Sequence, residues 1–265
     1  MIKTDMTNEQ YHAHEAISSS DVKAVHSTSA YHWLYKTYKR SAAFDLGTAV
    51  HALILEPHAD LIVRGPEDRR GNKWKEEAAA AEMNGQLLLT EADYDKSRAI
   101  ADAVISTPVG QTMQSERTIN EASIFATCSH TGLQIKTRPD SYWQERGIIY
   151  DVKTTQDASP IGLGREVVKY NYALQAAFYL HVCREAGLPA KQFVFAAVEK
   201  EPPYATCVHM LSDDYIAWGH SQMLGAMEQI KTAQDSGEYN TGWPALNILD
   251  LPRWMSADDD FDTEN

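Results

Sequence analysis

Cysteine is scarce in this 265-residue chain: Cys128, Cys183 and Cys207 stand far apart, with no C-x-x-C pair. A scattered, odd set excludes a disulfide framework and suggests no zinc or iron–sulfur knuckle, which leaves three reduced, mostly buried thiols as the reading. Long apolar runs are also missing. No stretch reaches the 18 residues of a membrane span, and the opening MIKTDMTNEQ is polar where a secretory signal would be basic and then apolar, so a cytoplasmic protein without a membrane partner is expected. Positive charge is in deficit as well: 24 Lys and Arg against 37 Asp and Glu give a net −13, which argues at first against a phosphate-rich partner. The distribution softens that objection. Asp258, Asp259, Asp260, Asp262 and Glu264 crowd the end, while His26, His32, Lys36, Lys39 and Arg40 form one basic stretch and Arg64, Arg69, Arg70, Lys73 and Lys75 another. Each basic run alone is more often a solvated face, so neither establishes nucleic-acid binding.

What is present suffices for a core, with 43% apolar residues, and no internal repeat or low-complexity linker divides the chain. Ser18, Ser19, Ser20 and Asp21 supply caps for a helix running to about Lys36. Residues 42–55 form a second helix stopped by Pro57, 72–83 a third, and 90–105 a fourth, with Thr90 as its cap and Pro108 past its end. The period then changes. Residues 117–127, 133–143 and 148–154 read as three strands in a meander, with 129–132 and 144–147 as turns. A long amphipathic helix over 165–186, ended by Gly187 and Pro189, precedes strands near 193–199 and 205–211 and a last helix over 213–235. The expected class is mixed α/β, a central mixed sheet flanked by helices, with a helical N-terminal third.

The informative segment is Arg138-Pro139-Asp140 followed by Ile148-Ile149-Tyr150-Asp151-Val152-Lys153-Thr154. With a symmetric turn ending at Gly147, Trp143 faces Ile148 and Asp140 falls opposite Asp151. Directly opposed Cβ atoms lie about 4.5–5.5 Å apart. Two carboxylates that close, beside apolar neighbours, repel each other unless a cation lies between them. Alternation puts Lys153 on the face of Asp151, with Tyr150 and Val152 on the other. Hard oxygen ligands suit Mg²⁺ or Mn²⁺, and a neighbouring lysine can orient or deprotonate water and offset phosphate charge. A bare D-x-K is more often a surface ion pair; the spacing D-(10)-D-x-K with apolar flanks, after Glu121 upstream, reduces that reading.

These residues resemble the PD-(D/E)XK nucleases, in the branch of RecB-type nuclease domains, lambda exonuclease and especially the RecE-type exonucleases. Besides the D…DxK core, the resemblance rests on Tyr11-His12-Ala13-His14, Ile17-Ser18-Ser19-Ser20, Gly47-Thr48-Ala49-Val50-His51, Glu121, and Gln175-x-x-x-Tyr179. It implies a metal set of His51, Asp140, Asp151 and Val152, with Gly47 and Ala49 letting that helix approach the sheet. A lone histidine on such a helix is otherwise usually a packed or surface residue. Lys153 is the implied catalytic lysine, Gln175 lies near it or near the DNA backbone, and Tyr179, by itself an ordinary core residue, supports Gln175. For Glu121 three roles stay open: a second metal through water, a catalytic water, or neither. Ser18 and Ser20, with Lys23 and Lys36, are either a capped helix start or a terminal-phosphate site. The other histidines, His181 and His220 among them, fit no ligand spacing.

The resemblance further implies a single nuclease domain over 1–265, mainly helical in 1–115, catalytic in 116–211, and closing with a helix and acidic tail in 212–265. Its activity would be a Mg²⁺-dependent exonuclease on double-stranded DNA ends, 5′ to 3′, yielding 5′-mononucleotides and 3′ tails for recombination. Mn²⁺ would substitute, and no iron–sulfur cluster is expected, since such relatives need four cysteines. A homo-oligomeric ring, a RecT-like annealing protein as partner, and the cytoplasm of a bacterial or phage-infected cell complete the expectation. An endonuclease or structure-specific nuclease of the same fold is the alternative; a catalytically silent DNA-binding subunit is disfavoured by the intact Asp140, Asp151 and Lys153.

Overall fold

A computed structural model describes residues 1–37 and 42–251. Lys39 and Arg40 of the first basic stretch, and the acidic tail from 252, lie outside the described residues. In chain order the elements are β1 (Ile2–Lys3), α1 (Asn8–Ala13), α2 (Ser19–Ser27), α3 (Ala30–Leu34), α4 (Ala42–Leu55), β2 (Ile62–Arg64), α5 (Gly71–Met83), β3 (Leu87–Leu89), α6 (Glu91–Ile105) and α7 (Pro108–Met113). They continue with β4 (Ile119–Asn120), β5 (Ser123–Thr127), β6 (Gln134–Thr137), β7 (Ser141–Trp143), β8 (Ile148–Thr155), α8 (Pro160–Lys169), α9 (Tyr172–Glu185), β9 (Gln192–Glu199), β10 (Thr206–Met210) and α10 (Asp213–Ser236).

The expected mixed sheet is present, as five strands in the order β10-β9-β8-β7-β4. Only β8 and β9 are parallel, joined by the helical crossover α8–α9, as a parallel pair requires. Alternation along β8 divides the interior. Ile149 faces a core with Phe193, Phe195, α9 and α10, whereas Tyr150 and Val152 face a second core with Val50 and Ile54 of α4 and Ile100 and Val104 of α6. Helix α9 is buried around most of its circumference, as befits a central helix. Its approach to α10 depends on Gly219, where a Cβ would lie 2.2 Å from the Ala173 carbonyl oxygen. Among the described residues, no helix is long and apolar enough to cross a membrane.

Several expected elements are divided. The helix from Ser18 to Lys36 breaks at Thr28, and Ser29 caps α3 by accepting from the His32 N–H. The helix over 165–186 starts earlier and breaks at Asn171, which takes the left-handed conformation at φ 53° that asparagine tolerates. Pro108 does not merely follow α6; it opens α7 at the position where a missing N–H is harmless. The N-terminal third is not all helix, because β2 and β3 pair in a parallel ribbon.

The meander is corrected most. Strand 117–127 breaks at Glu121, and strand 133–143 breaks at Arg138-Pro139-Asp140. The far halves, β5 and β6, leave the main sheet and pair with β1 in a separate three-stranded sheet. Glu121 is thus in a bend at φ 52°, a strained conformation for a residue with a Cβ, costing about 1–2 kcal/mol.

Candidate active site

The turn ending at Gly147, whose φ of 67° glycine adopts freely, sets the β7–β8 register: Trp143 pairs with Ile148 and Ser141 with Tyr150, as the spacing predicts. One residue earlier the ladder stops. Asp140 replaces it with its side chain, its Oδ2 accepting from the buried Val152 N–H at 2.6 Å. That bond satisfies a backbone donor which the strand break would leave unpaired.

From the opposite side of the sheet, α4 delivers His51. Its Nε2 lies 3.1 Å from the Val152 carbonyl oxygen and its Nδ1 3.4 Å from Asp140 Oδ2. Val152 therefore enters the site through both of its backbone polar groups while its side chain packs in the α4–α6 core. Ala49, two residues before it, is fully buried against Ile62 and Leu89, but the expectation for Gly47 fails, since a Cβ there would meet nothing within 4 Å.

On the other face Asp151 is bound from two directions. Its Oδ2 is ion-paired to Lys153, and its Oδ1 accepts from Gln175 Nε2 of α9 at 2.7 Å. Gln175 Oε1 in turn accepts from Lys23 Nζ of α2 at 3.1 Å. Both lysines lie over the ring of Tyr172, at 4.8 Å for Lys153 and 5.8 Å for Lys23. Lys23 thus joins the cluster around Asp151, whereas Ser18, Ser20 and Lys36 gather at the start of α2. There Asp21 accepts from the Ser18 N–H and hydroxyl and from Trp33 Nε1, and Lys36 Nζ donates to the Ser20 carbonyl. A carboxylate of the chain itself already sits at this helix start. Tyr179 stacks edge-on against Phe193 and meets Ser19 through its hydroxyl, tying α9 to α2.

Glu121 is held by Arg138, whose Nε donates to it at 2.6 Å and whose Nη1 donates to the Met6 carbonyl and Ser123 hydroxyl. The Glu121 N–H donates to the Asp140 carbonyl, so the two strand breaks brace one another. Arg138 precedes Pro139-Asp140 in sequence, yet nothing in its spacing marks it as the partner of Glu121.

Electrostatically the site crowds buried carboxyl groups against one another. Burial first, and then Asp151, pushes the Asp140 carboxyl well above its ordinary range. Burial and the nearby Asp140 raise Glu121 to about 7. Burial followed by Lys153 lowers His51, so its imidazole is neutral. Burial alone would lower Lys153, but Asp151 and Asp140 overcome it and raise the ammonium above its usual value. Donor atoms of His51, Glu121 and Asp140 lie within 4.8 Å of one another. If His51 donates through Nε2 to Val152, its Nδ1 lone pair faces a carboxylate oxygen at 3.4 Å, an arrangement that calls for a proton or cation between them. The residues fit a divalent cation: hard carboxylate oxygens that repel one another, and one neutral imidazole.

Residues 18–242 match the family described as "PDDEXK-like domain of unknown function (DUF3799)". No curated protein matches the sequence. Among solved structures, the chain resembles the protein named "Putative exonuclease" from Eubacterium rectale, with a TM-score of 0.63 and 16% identity over 94% of this chain and 96% of that one. A second, SSO0001, overlaps with a TM-score of 0.31 and 10% identity over 71% of this chain and 87% of that one, too slight a likeness to argue from. The structural likeness shows the fold, and the match over 18–242 shows the family: this chain belongs to the PDDEXK-like domains, with a PD-(D/E)XK nuclease fold.

Proposed function

We propose that the protein is a Mg²⁺-dependent exodeoxyribonuclease that degrades linear duplex DNA from its ends. The observation that carries the reading is the convergence on Val152 of Asp140, Asp151, Lys153 and His51, brought from two strands and a distant helix. Asp140, Asp151 and His51 would hold the metal, with Glu121 beside them. Bound there, Mg²⁺ would supply Lewis acidity and lower the pKa of a water. Lys153, held as a cation by Asp151, is placed to donate to phosphoryl oxygens and offset charge that grows on the phosphorus centre. Gln175 fixes the Asp151 carboxylate, leaving its other oxygen to Lys153. Arg138 holds Glu121 in its bend.

The finer reading is 5′ to 3′ digestion to 5′-mononucleotides, leaving 3′ tails for recombination, by a ring of subunits that encircles duplex DNA and hands the tail to a RecT-like annealing protein. It is supported by the family's nuclease fold and by the name of the structural neighbour from Eubacterium rectale. The test is incubation with Mg²⁺ and linear duplex labelled at either the 5′ or the 3′ end, beside a covalently closed circle. Loss of linear DNA alone, with 5′ label released first as mononucleotide, is expected. Cutting of the circle at a comparable rate would replace this reading with an endonuclease.

A further inference from the structure

Away from the nuclease site, the turn after β5 and the last turns of α9 bring three unlike donor groups to one point. Cys128 is 1% exposed at the end of β5, and His181 and Glu185, four residues apart, share one face of α9. Cys128 Sγ lies 3.4 Å from His181 Nε2, and Glu185 Oε1 lies 3.7 Å from the same nitrogen. One donor atom from each residue lies within 4.8 Å of the other two.

A cysteine, a histidine and a carboxylate can also form a nucleophilic relay, so the geometry must decide. A relay uses both ring nitrogens, one towards the thiol and the other towards the carboxylate. Here thiol and carboxylate meet the same nitrogen, and the thiol is closed to substrate. Convergence on a single point is what a shared cation produces. With Zn–S at about 2.3 Å and Zn–N and Zn–O at about 2.0–2.1 Å, tetrahedral angles give an S···N edge of about 3.6 Å and an N···O edge of about 3.4 Å. The separations of 3.4 and 3.7 Å are within a few tenths of an ångström of those edges.

We propose that Cys128, His181 and Glu185 form a Zn²⁺ site separate from the nuclease centre. Binding would release the Cys128 thiol proton, since the thiolate is the ligand. The soft sulfur selects Zn²⁺ over Mg²⁺, in contrast to the oxygen-rich set around Asp140. Outer support is in place: Ser129 donates to Glu185 from its hydroxyl at 2.6 Å and from its N–H at 3.2 Å. His220 of α10, its ring centroid 5.9 Å from that of His181, is the candidate fourth ligand, with water the alternative. The site would fasten the 128–133 turn to α9. Ten residues along that helix, about 15 Å away, Gln175 grips Asp151.

The test uses the full chain, stripped with chelator and titrated with Zn²⁺ and with Co²⁺. One tight Zn²⁺ per chain is expected, together with a thiolate-to-cobalt charge-transfer band in the near ultraviolet. Cys128→Ser should lose that band and at least about 100-fold in Zn²⁺ affinity, while Asp151→Asn keeps the band. Should Cys128→Ser fold poorly by circular dichroism, His181→Ala is the second variant, with at least tenfold weaker binding expected on the order of an outer-shell loss or more. Absence of the band in folded wild type overturns the site. So does a band that survives Cys128→Ser, or an unchanged affinity in His181→Ala.

Discussion

Gln175 is the most direct probe of how the site holds its carboxylates. It lies six per cent exposed on α9, donates to Asp151 Oδ1 at 2.7 Å and accepts from Lys23 Nζ at 3.1 Å. Leucine at this position keeps the volume and removes both bonds. A hydrogen bond to a charged group contributes about 1.5–3 kcal/mol, which is about 10- to 150-fold in an equilibrium constant. Loss of an outer-shell partner of a metal-binding carboxylate typically weakens metal affinity by about 10–100-fold, the same range. Gln175→Leu should therefore raise the Mg²⁺ concentration for half-maximal DNA degradation by about 10- to 100-fold, with much of the rate recovered at saturating Mg²⁺. Gln175→Glu separates the two bonds. It keeps an acceptor for Lys23 but cannot donate to Asp151 when ionised, so it should be impaired like the leucine variant. A Mg²⁺ dependence within about twofold of wild type in folded Gln175→Leu would refute the reasoning. Full activity in Gln175→Glu would shift the role of Gln175 from Asp151 to Lys23.

Lys153→Ala should abolish cleavage while leaving divalent-metal binding nearly intact, whereas Asp151→Ala should lose both; residual cleavage within a few-fold of wild type in each, by single-turnover assay, would place the chemistry elsewhere. Chelator should silence the enzyme, Mg²⁺ or Mn²⁺ should restore it, and Ca²⁺ should bind without turnover, as followed by release of acid-soluble nucleotide. Burial followed by Lys153 lowers Lys23 from 10.5 to about 8, so the unfolded chain binds this proton more tightly. In the metal-free protein its contribution to stability therefore rises with pH between about 8 and 10.5, by up to about 3 kcal/mol, and urea unfolding of Lys23→Met should show that increment missing and higher stability at pH 7. Since Asp21 already accepts from Ser18, a terminal-phosphate role for this helix start requires the phosphate to displace that carboxylate; the role predicts that a 5′-phosphate accelerates digestion by wild type more than by Ser18→Ala, Ser20→Ala, and no phosphate effect in wild type would leave Ser18 as a helix cap alone.

The elements legible in the sequence are those in which local and tertiary signals agree. Helix α4 coincides with residues 42–55, and α6 begins after the predicted Thr90 cap, whose hydroxyl accepts from the Asp93 N–H. The β7–β8 register was likewise readable, because a four-residue turn leaves little freedom in pairing. The breaks at Glu121 and Asp140 were not. Both interrupt runs rich in β-branched and aromatic residues, and what marks them is a backbone angle and a side-chain substitute for a ladder bond. Nor could the chain show that Lys23 belongs to the cluster around Asp151, since its partner Gln175 lies 152 positions away. The same holds for Cys128 and His181, which have no ligand spacing in sequence and meet only when β5 packs on α9.

The excess of acid over base loses its force as an objection to DNA once charge is placed in space. Around Val152 stand three cations, Lys23, Lys153 and Arg138, against three carboxyl groups, Glu121, Asp140 and Asp151, with His51 neutral. The protein groups alone nearly cancel, so a phosphate meets little net attraction. A divalent cation would turn that balance to about +2 at the point where phosphodiester chemistry requires it. Acidic groups elsewhere on the chain would then repel DNA from other surfaces and favour its approach to this one. Attraction for a scissile phosphate would then depend on metal loading more than on basic residues, which is compatible with a net charge of −13.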